Sequence, residues 1–267
     1  MVKAIPLFDL NILENNLNQW RDNMKILNDN DFKLLKKLIS LNQCETKSCV
    51  AEFLDKSYSD IVETSDYIFA KGNIPIALVA HMDTVFEGDG KKRDFIYHTL
   101  EGKLWNPNGA GFDDKAGIFA IFKIIEDGYL PHVIFTTDEE IGSQGAIQLI
   151  EEYKSHPFDD LKYLVELDRA NEFDCVFYDC ENEEFIEYVE SFGFIKAYGT
   201  SSDIKHISNA WNIASVNLSI GYKYQHTEEE ILYVGAMFET ISNVKSMLDD
   251  SENISWEFKH LKEPDLM

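Results

Sequence analysis

The sequence predicts an α/β fold, a three-layer α-β-α sandwich with a mixed, mostly parallel central sheet. The first observation is that short apolar runs alternate with helical patterns along most of the 267 residues. Strands buried on both faces read as continuous apolar runs, and the helices between them cover the sheet. The second observation is that hydrophobic residues make up 45% of the chain, which is enough to build a sizeable core.

Run length and apolar period assign the elements in order along the chain. Segment 9–40 predicts helix, because its apolar residues recur at helical spacing. Short apolar runs predict strands at 74–83, 132–140, 163–170, 175–179 and 211–222. Helical patterns predict helices at 114–128, 141–153, 183–193 and 228–248.

Glycines and capping residues mark the ends of several of these helices. Gly128 and Gly193 each follow a helical pattern, in the position where glycine commonly ends a helix. Thr227, with Glu230 three residues later, has the pattern of a capping box. The last helix is therefore predicted to begin near residue 228.

The charge of the chain argues against two classes of partner. The formal charge is −24, from 48 acidic and 24 basic residues. Such a surface repels phosphate groups, so neither nucleic acid nor an anionic membrane is an expected partner. No apolar stretch has the length of a signal peptide or a membrane span. The four cysteines lack the tight spacing of a structural zinc site, so reduced thiols in a cytoplasmic protein are expected.

Five metal-binding side chains occur in separate phrases, and most of them end a predicted strand or follow one closely. The phrases are ALVAHMDTV, GAGFDDKAGI, TTDEEIGSQGA, LVELDRA and GYKYQHTEEE, and the donors in them are His81, Asp113, Glu140, Asp168 and His226. The carboxyl ends of strands in an open α/β sheet meet at one edge, where ligands bind. Carboxylates and imidazoles gathered there suit two divalent metal ions bridged by one carboxylate, which favours metal-assisted hydrolysis.

Further acidic residues lie beside these donors. Asp83 follows His81 by two residues, so in an extended segment it can reach the imidazole and fix its tautomer. Glu139 and Glu140 are adjacent, so that one can bind a metal while the other takes a proton from water. An adjacent pair of aspartates such as that at 113–114 is also common at a helix N-cap.

The phrases resemble those of the co-catalytic di-zinc exopeptidases, the superfamily that holds peptidase T, glutamyl aminopeptidases and bacterial leucyl aminopeptidases. AHMDTV, GFDDKAGI and TTDEEIGSQGA are similar to the peptidase T branch, and the resemblance covers roughly residues 76–250. It implies a zinc-exopeptidase-like fold and two divalent metal ions, zinc first, with manganese or cobalt as alternatives. It also implies a peptide or amino-acid amide as substrate.

The resemblance implies a role for each of the five donors. His81 and Asp168 would be the terminal ligands of one metal. Glu140 and His226 would be the terminal ligands of the other. Asp113 would bridge the two metals, and relatives often have a cis peptide bond after this aspartate.

Two catalytic roles follow from the same resemblance. Glu139 would be the general base that takes a proton from the attacking water. Asp83 would orient the imidazole of His81.

The chain departs from its relatives in the lengths between its phrases. The peptidase T branch inserts a dimerisation lid between the fourth and fifth ligands, and another branch inserts a β domain between the first and second. Neither insert fits here, so 1–267 is predicted to be a single catalytic domain without a lid, as in bacterial leucyl aminopeptidases. Residues 1–45 would form a helical N-terminal extension packed on this domain, and a homo-oligomer is compatible with the frame.

The predicted function is a metallo-exopeptidase, and an aminopeptidase is favoured because an acidic site suits a free α-amino group. A carboxypeptidase, dipeptidase or acyl-amino-acid deacylase must hold a carboxylate, usually with arginine. Of three arginines, only Arg169 is placed for that role. These activities stay open, as do cyclase chemistry on N-terminal glutamine and a non-catalytic metal-binding module on a peptidase frame.

Two other features stay open in the sequence. Segment 200–203 has the composition of a cap or turn, and it could also line a specificity pocket. Tyr222 is a candidate for stabilising a developing oxyanion. A tyrosine at the end of a strand is also common without any catalytic role.

Overall fold

The computed structural model describes residues 27–94, 96–99, 101–180, 182–254 and 257–260. The first part of the predicted N-terminal segment, residues 1–26, lies outside the described residues. No helix within the described ranges is long and apolar enough to cross a membrane.

An eight-stranded mixed sheet forms the centre of the molecule. Its strands, in spatial order, are β1 (Ile61–Glu63), β2 (Tyr67–Ala70), β6 (Pro131–Thr136), β3 (Ile74–His81), β7 (Tyr163–Arg169), β10 (Ser215–Ser219), β8 (Asp174–Val176) and β9 (Ile195–Lys196). The central strands β6, β3, β7 and β10 run parallel, while β1 and β2 pair antiparallel with their neighbours. β8 is antiparallel to β10 and parallel to β9. The predicted fold class is confirmed.

A second, four-stranded sheet was not predicted from the sequence. Its strands, in spatial order, are β11 (Tyr222–Lys223), β12 (Ile231–Tyr233), β5 (Lys103–Trp105) and β4 (Tyr97–His98). Each strand has only two or three residues, which is too short for an alternating pattern to show. The sheet joins the chain between His81 and Asp113 to the two segments that flank His226.

Helices cover both faces of the main sheet. They are α1 (Asp29–Ser40), α2 (Gln43–Leu54), α3 (Phe112–Glu126), α4 (Gln144–Glu152), α5 (Glu183–Glu190), α6 (Asp203–Trp211) and α7 (Val234–Asp250). Apolar residues of α1, α2, α3, α5 and α7 share one buried cluster. Those of α4 and α6 join a separate cluster on the opposite face. This arrangement gives the three layers that the sequence predicts.

The described part of the N-terminal extension is helical and packs on α3. Leu35, Leu38 and Ile39 of α1 are buried in the same apolar cluster as the residues of α3. Asp31 of α1 forms an ion pair with Lys123 of α3, with 2.9 Å between Oδ1 and Nζ. Residues 27–45 therefore belong to the same packed unit as the sheet.

The predicted start of the last helix is wrong. α7 begins at Val234, and residues 231–233 form β12 instead. Glu230 does not close a capping box, because its buried carboxylate accepts hydrogen bonds from the loop before α3. The competing partners are distant in sequence, so local spacing could not reveal them.

Two further predicted boundaries are wrong. The strand predicted at 211–222 is limited to β10, because residues up to Trp211 form α6. The apolar residues Ile204, Ile207 and Trp211 are buried at helical spacing, which is the signal that identifies this helix. The strand β6 ends at Thr136, so Glu139 and Glu140 lie in the turn that follows it.

Candidate metal centre

The carboxyl ends of three adjacent parallel strands bring the predicted donors together. His81 is the last residue of β3, and Asp168 is the penultimate residue of β7. Glu140 lies in the turn after β6, on the other side of β3. Parallel strands end at a common edge of the sheet, so donors that are distant in sequence become neighbours.

The first donor set consists of His81, Asp113 and Asp168. The imidazole Nε2 of His81 lies 3.0 Å from Oδ1 of Asp113. The same nitrogen lies 3.4 Å from Oδ1 of Asp168. All three side chains are at most 9% exposed.

The second donor set consists of His226, Glu140 and the other oxygen of Asp113. The Nε2 atom of His226 lies 3.1 Å from Oδ2 of Asp113. It also lies 3.1 Å from Oε2 of Glu140. The two oxygens of Asp113 therefore face different donor sets.

The two donor sets fit a pair of divalent cations. Nitrogen and oxygen ligands stand about 2.0–2.2 Å from zinc, so neighbouring ligands of a tetrahedral site are about 3.3 Å apart. The donor–donor distances of 3.0 to 3.4 Å match this spacing. Oε1 of Glu140 is buried and has no hydrogen-bond partner among the described residues. Donor atoms of His81, Asp113 and Glu140 all lie within 4.8 Å of one another, as do those of His81, Asp114 and Asp168.

Asp83 holds two parts of the centre at once. Its Oδ1 accepts a hydrogen bond at 3.1 Å from Nδ1 of His81, which leaves Nε2 free to face the donor set. The backbone N–H groups of Glu139 and Glu140 donate to the same carboxylate, at 3.1 and 3.0 Å. Asp83 therefore lies where the sequence places it and also fixes the turn after β6.

Asp113 lies in the first turn of α3, where the backbone dihedral angles of Asp113 and Asp114 are non-helical. The peptide bond between Asp113 and Asp114 is cis. Asp114 is buried, and its Oδ1 accepts the N–H of Gly117 at 2.9 Å. The helix α3 passes very close to β7 here, because a Cβ atom on Gly117 would lie 2.4 Å from Asp114 Oδ1 and from the Leu167 carbonyl oxygen.

Gly117→Ala should destabilise the protein by about 1–3 kcal/mol, because the added methyl group overpacks this contact. The matched control is Gly235→Ala in α7, where an added Cβ meets nothing within 4 Å. That change should stabilise the protein by up to about 1 kcal/mol, since alanine favours helix over glycine. Urea unfolding of both variants measures the difference, and equal midpoints would contradict the close approach.

Lys115 anchors the segment between His81 and Asp83. Its buried ammonium group donates to the carbonyl oxygen of Met82, and at 2.7 Å to Oγ1 of Thr46 in α2. Burial lowers the pKa of Lys115 to about 8. The lysine joins α3, α2 and the end of β3.

Asp168 is held by two hydroxyl groups. The hydroxyl oxygen of Tyr222 lies 2.8 Å from its carbonyl oxygen and 3.0 Å from Oδ1. Ser202 lies 2.9 Å from Oδ2 and 2.7 Å from the buried carboxylate of Glu166. Tyr222 thus supports a donor of the first set.

The carboxylates dominate the electrostatics of the two histidines. Burial lowers the pKa of His81, but the charge and hydrogen bonds of Asp168 and Asp113 outweigh it and raise the pKa well above 6.5. Hydrogen bonds to Asp113 and Glu140 raise the pKa of His226 to about 10. The centre is strongly negative, and it attracts positive charge, whether protons or metal cations.

Glu139 stands apart from the donor–donor contacts. Its carboxylate makes no hydrogen bond to another residue in the described part of the chain, and it faces the cavity beside the donors. Burial and the charges of Asp168 and Asp203, opposed by His81, raise its pKa to about 9 without bound cations. A carboxyl group beside the donors, with no hydrogen-bond partner of its own among the described residues, has the position of a general base.

A cavity of about 180 Å³ opens beside the donors. Its lining includes Asp113, Glu139, Asp168, Arg169, Thr200, Ser201, Gln225 and His226. Thr200 and Ser201 line the cavity, and Ser202 occupies the N-cap position of α6 without a side-chain capping hydrogen bond. A role of segment 200–203 in substrate specificity stays a prediction.

Sequence reasoning missed the residues that support the donors from distant parts of the chain. Ser202, Glu166 and Lys115 are buried polar residues with defined partners at the centre. Lys115 belongs to the phrase GFDDKAGI, and its place within an apolar helical pattern is the one local sign that its side chain is buried. The contacts of Ser202 and Glu166 depend on the fold and leave no local pattern.

The family to which the chain belongs defines its class, which is a metallo-exopeptidase. The chain belongs to peptidase family M20/M25/M40, because the sequence model of that family matches residues 77–245, more than half of the chain. Peptidases of this family are metal-dependent. No curated protein sequence matches the chain significantly.

Several solved structures share the fold. The aminopeptidase PepT of Bacillus cereus ATCC 10987 is 16% identical, with a TM-score of 0.62, over 83% of this chain and 99% of that chain. A tripeptidase of Staphylococcus aureus is 14% identical, with a TM-score of 0.64, over 84% and 99%. An aminopeptidase of the archaeon Desulfurococcus kamchatkensis is 14% identical, with a TM-score of 0.65, over 89% and 99%. At these identities the likeness establishes the fold alone.

Proposed function

We propose that this chain is a two-cation aminopeptidase that releases N-terminal residues from peptides or amino-acid amides. The observation that carries the proposal is the pair of donor sets that share Asp113, with the free carboxylate of Glu139 beside them. In this proposal His81 and Asp168 hold one cation, and Glu140 and His226 hold the other. We propose zinc, with manganese or cobalt as alternatives that these ligands also accept.

The protein's own residues then divide the work of amide hydrolysis. Bound divalent cations would supply positive charge that lowers the pKa of a water molecule and polarises the carbonyl group of the substrate. Glu139 takes a proton from the attacking water on its carboxylate and delivers it to the nitrogen of the leaving amine. Asp83 keeps His81 in the tautomer that directs Nε2 toward the donor set.

The lining of the cavity supports an amino group as the recognised end of the substrate. Asp113, Glu139 and Asp168 line it, and among the described residues of the lining Arg169 is the one base other than histidine. The two proposed cations offset the charge of Asp113 and Asp168, so the support for an amino group is that the lining offers few bases, because a substrate carboxylate is usually held by arginine.

Arg169 supports a carboxypeptidase, dipeptidase or deacylase as the second candidate. It lines the cavity, its buried Nε has no hydrogen-bond partner among the described residues, and its contact with Asp174 is long at 3.7 Å. The other described arginine, Arg93, donates to several carbonyl oxygens and to Asp89. An arginine with unused donors suits a substrate carboxylate.

A substrate pair separates the two candidates. We expect the metal-loaded chain to hydrolyse leucine amide and to leave N-acetyl-leucine amide essentially intact, as measured by release of ammonia. Release of acetate and leucine from N-acetyl-leucine, without release of ammonia from leucine amide, would instead identify a deacylase. No hydrolysis of any substrate, with two bound cations per chain, would favour a non-catalytic metal-binding module.

Two properties of the whole chain stay as proposals. We propose that 1–267 forms a single catalytic domain without a dimerisation lid. A homo-oligomer is compatible with the structure, and sedimentation of the purified protein measures its state.

A further inference from the structure

Glu230 is a buried acid with an unusual set of partners. Its side chain is fully buried. Oε2 accepts the backbone N–H groups of Ala110, Gly111 and Phe112 at 3.2, 2.5 and 3.1 Å, and Oε1 accepts that of Asp113 at 3.1 Å. Four consecutive N–H groups therefore converge on one carboxylate from a distant part of the chain.

The backbone before α3 is shaped for an anion. Gly111 has φ 69° and ψ 40°, in the left-handed region, and it precedes the first residue of the 15-residue helix. Successive N–H groups in such a turn form a concave anion site. The chain fills this site with its own carboxylate, so none of these donors is left without an acceptor.

The same carboxylate connects two elements of the candidate metal centre. The N–H group of Asp113 binds Glu230 while the Asp113 side chain faces both His81 and His226. Glu230 also lies in the turn that carries His226, since its N–H group donates to the Thr227 carbonyl oxygen at 3.2 Å. The position of Asp113 relative to His226 therefore depends on Glu230.

We propose that Glu230 is a positioning residue, which holds Asp113 and His226 at the spacing that the second donor set needs. The inference rests on the proposed two-cation function and adds to it a residue that contacts neither substrate nor cation. Both oxygens are required, because they accept hydrogen bonds from different N–H groups. In a glutamine, one oxygen becomes an NH₂ group that opposes these donors.

Metal binding by the full chain tests this role. We expect Glu230→Gln to weaken binding of the second Zn²⁺ equivalent about 10–100-fold in calorimetric titration of the metal-free protein, the usual effect of removing a support of a ligand. With Mn²⁺ as the probe, the exchange-coupled EPR signal of a bridged pair should be lost in the variant. Glu229→Gln is the matched control, because Glu229 is exposed and adjacent, and it should bind both ions as the wild type does.

Each outcome decides the proposal. Glu230→Asp keeps the negative charge, but its shorter side chain moves the carboxylate away from the N–H groups. The same loss of affinity for the second Zn²⁺ in this variant supports a positioning role rather than a purely electrostatic one. A Glu230→Gln protein that binds two coupled ions with unchanged affinity overturns the inference alone. A wild-type protein that binds fewer than two ions overturns the proposed function and this inference with it. If both Glu230 variants fail to fold, the residue serves the fold itself and the specific role is refuted.

Discussion

Glu139→Gln should leave metal binding unchanged and lower kcat by about 10²–10⁴-fold, the usual cost of removing a general base. The carboxylate of Glu139 takes no part in the donor–donor contacts, so cations keep their ligands. Glutamine has nearly the same shape, and the backbone N–H that donates to Asp83 remains. Steady-state kinetics on leucine amide, with metal content from elemental analysis, measures both quantities.

The neighbouring acid makes a useful contrast to this variant. Glu140→Gln changes a member of the second donor set, so it should lose metal as well as activity. The exposed Glu151→Gln in α4 is the control for a general loss of acidic charge. A Glu139→Gln enzyme with wild-type kcat would remove the general-base assignment and leave the metal centre untouched.

The parts of the fold that the sequence predicts are those set by local pattern. β3 reads as a continuous apolar run because it lies between β6 and β7 with helices on both faces. Donors at the ends of these strands could be predicted to converge, since the ends of parallel strands meet. His226 lies in a loop after β11 and comes to the same place, as its position shortly after the predicted strand 211–222 indicates.

The parts that the sequence does not predict depend on partners distant along the chain. Thr227 and Glu230 have a capping-box spacing, but Glu230 binds four N–H groups that lie more than a hundred residues earlier. A buried carboxylate is most stable where it accepts the most hydrogen bonds, and a capping box offers fewer N–H donors than the four that bind Glu230. Likewise, β12 pairs with β5 and β11, and no pattern within three residues can show such pairing.

Asp113→Asn should abolish most of the stabilisation that the protein gains from metal. One cation present at 100 times its Kd adds about 2.7 kcal/mol to the free energy of unfolding. For domains of roughly this size, each kcal/mol raises Tm by about 2–4 °C, so two cations should raise it by on the order of 10–20 °C. Asp113 belongs to both donor sets, so its loss affects both cations, whereas His226→Gln should affect only one.

The dependence on both donor sets makes Asp113→Asn more informative than the loss of a terminal ligand. Asparagine offers one oxygen and one NH₂ group, so it cannot present an acceptor to each side. Calorimetric unfolding with and without Zn²⁺ should show a shift of many degrees in the wild type and in the exposed control Asp159→Asn. The shift in Asp113→Asn should be less than half as large. An equal shift in this variant would mean that the cations bind without a shared carboxylate, and the paired donor sets would then not be the metal centre.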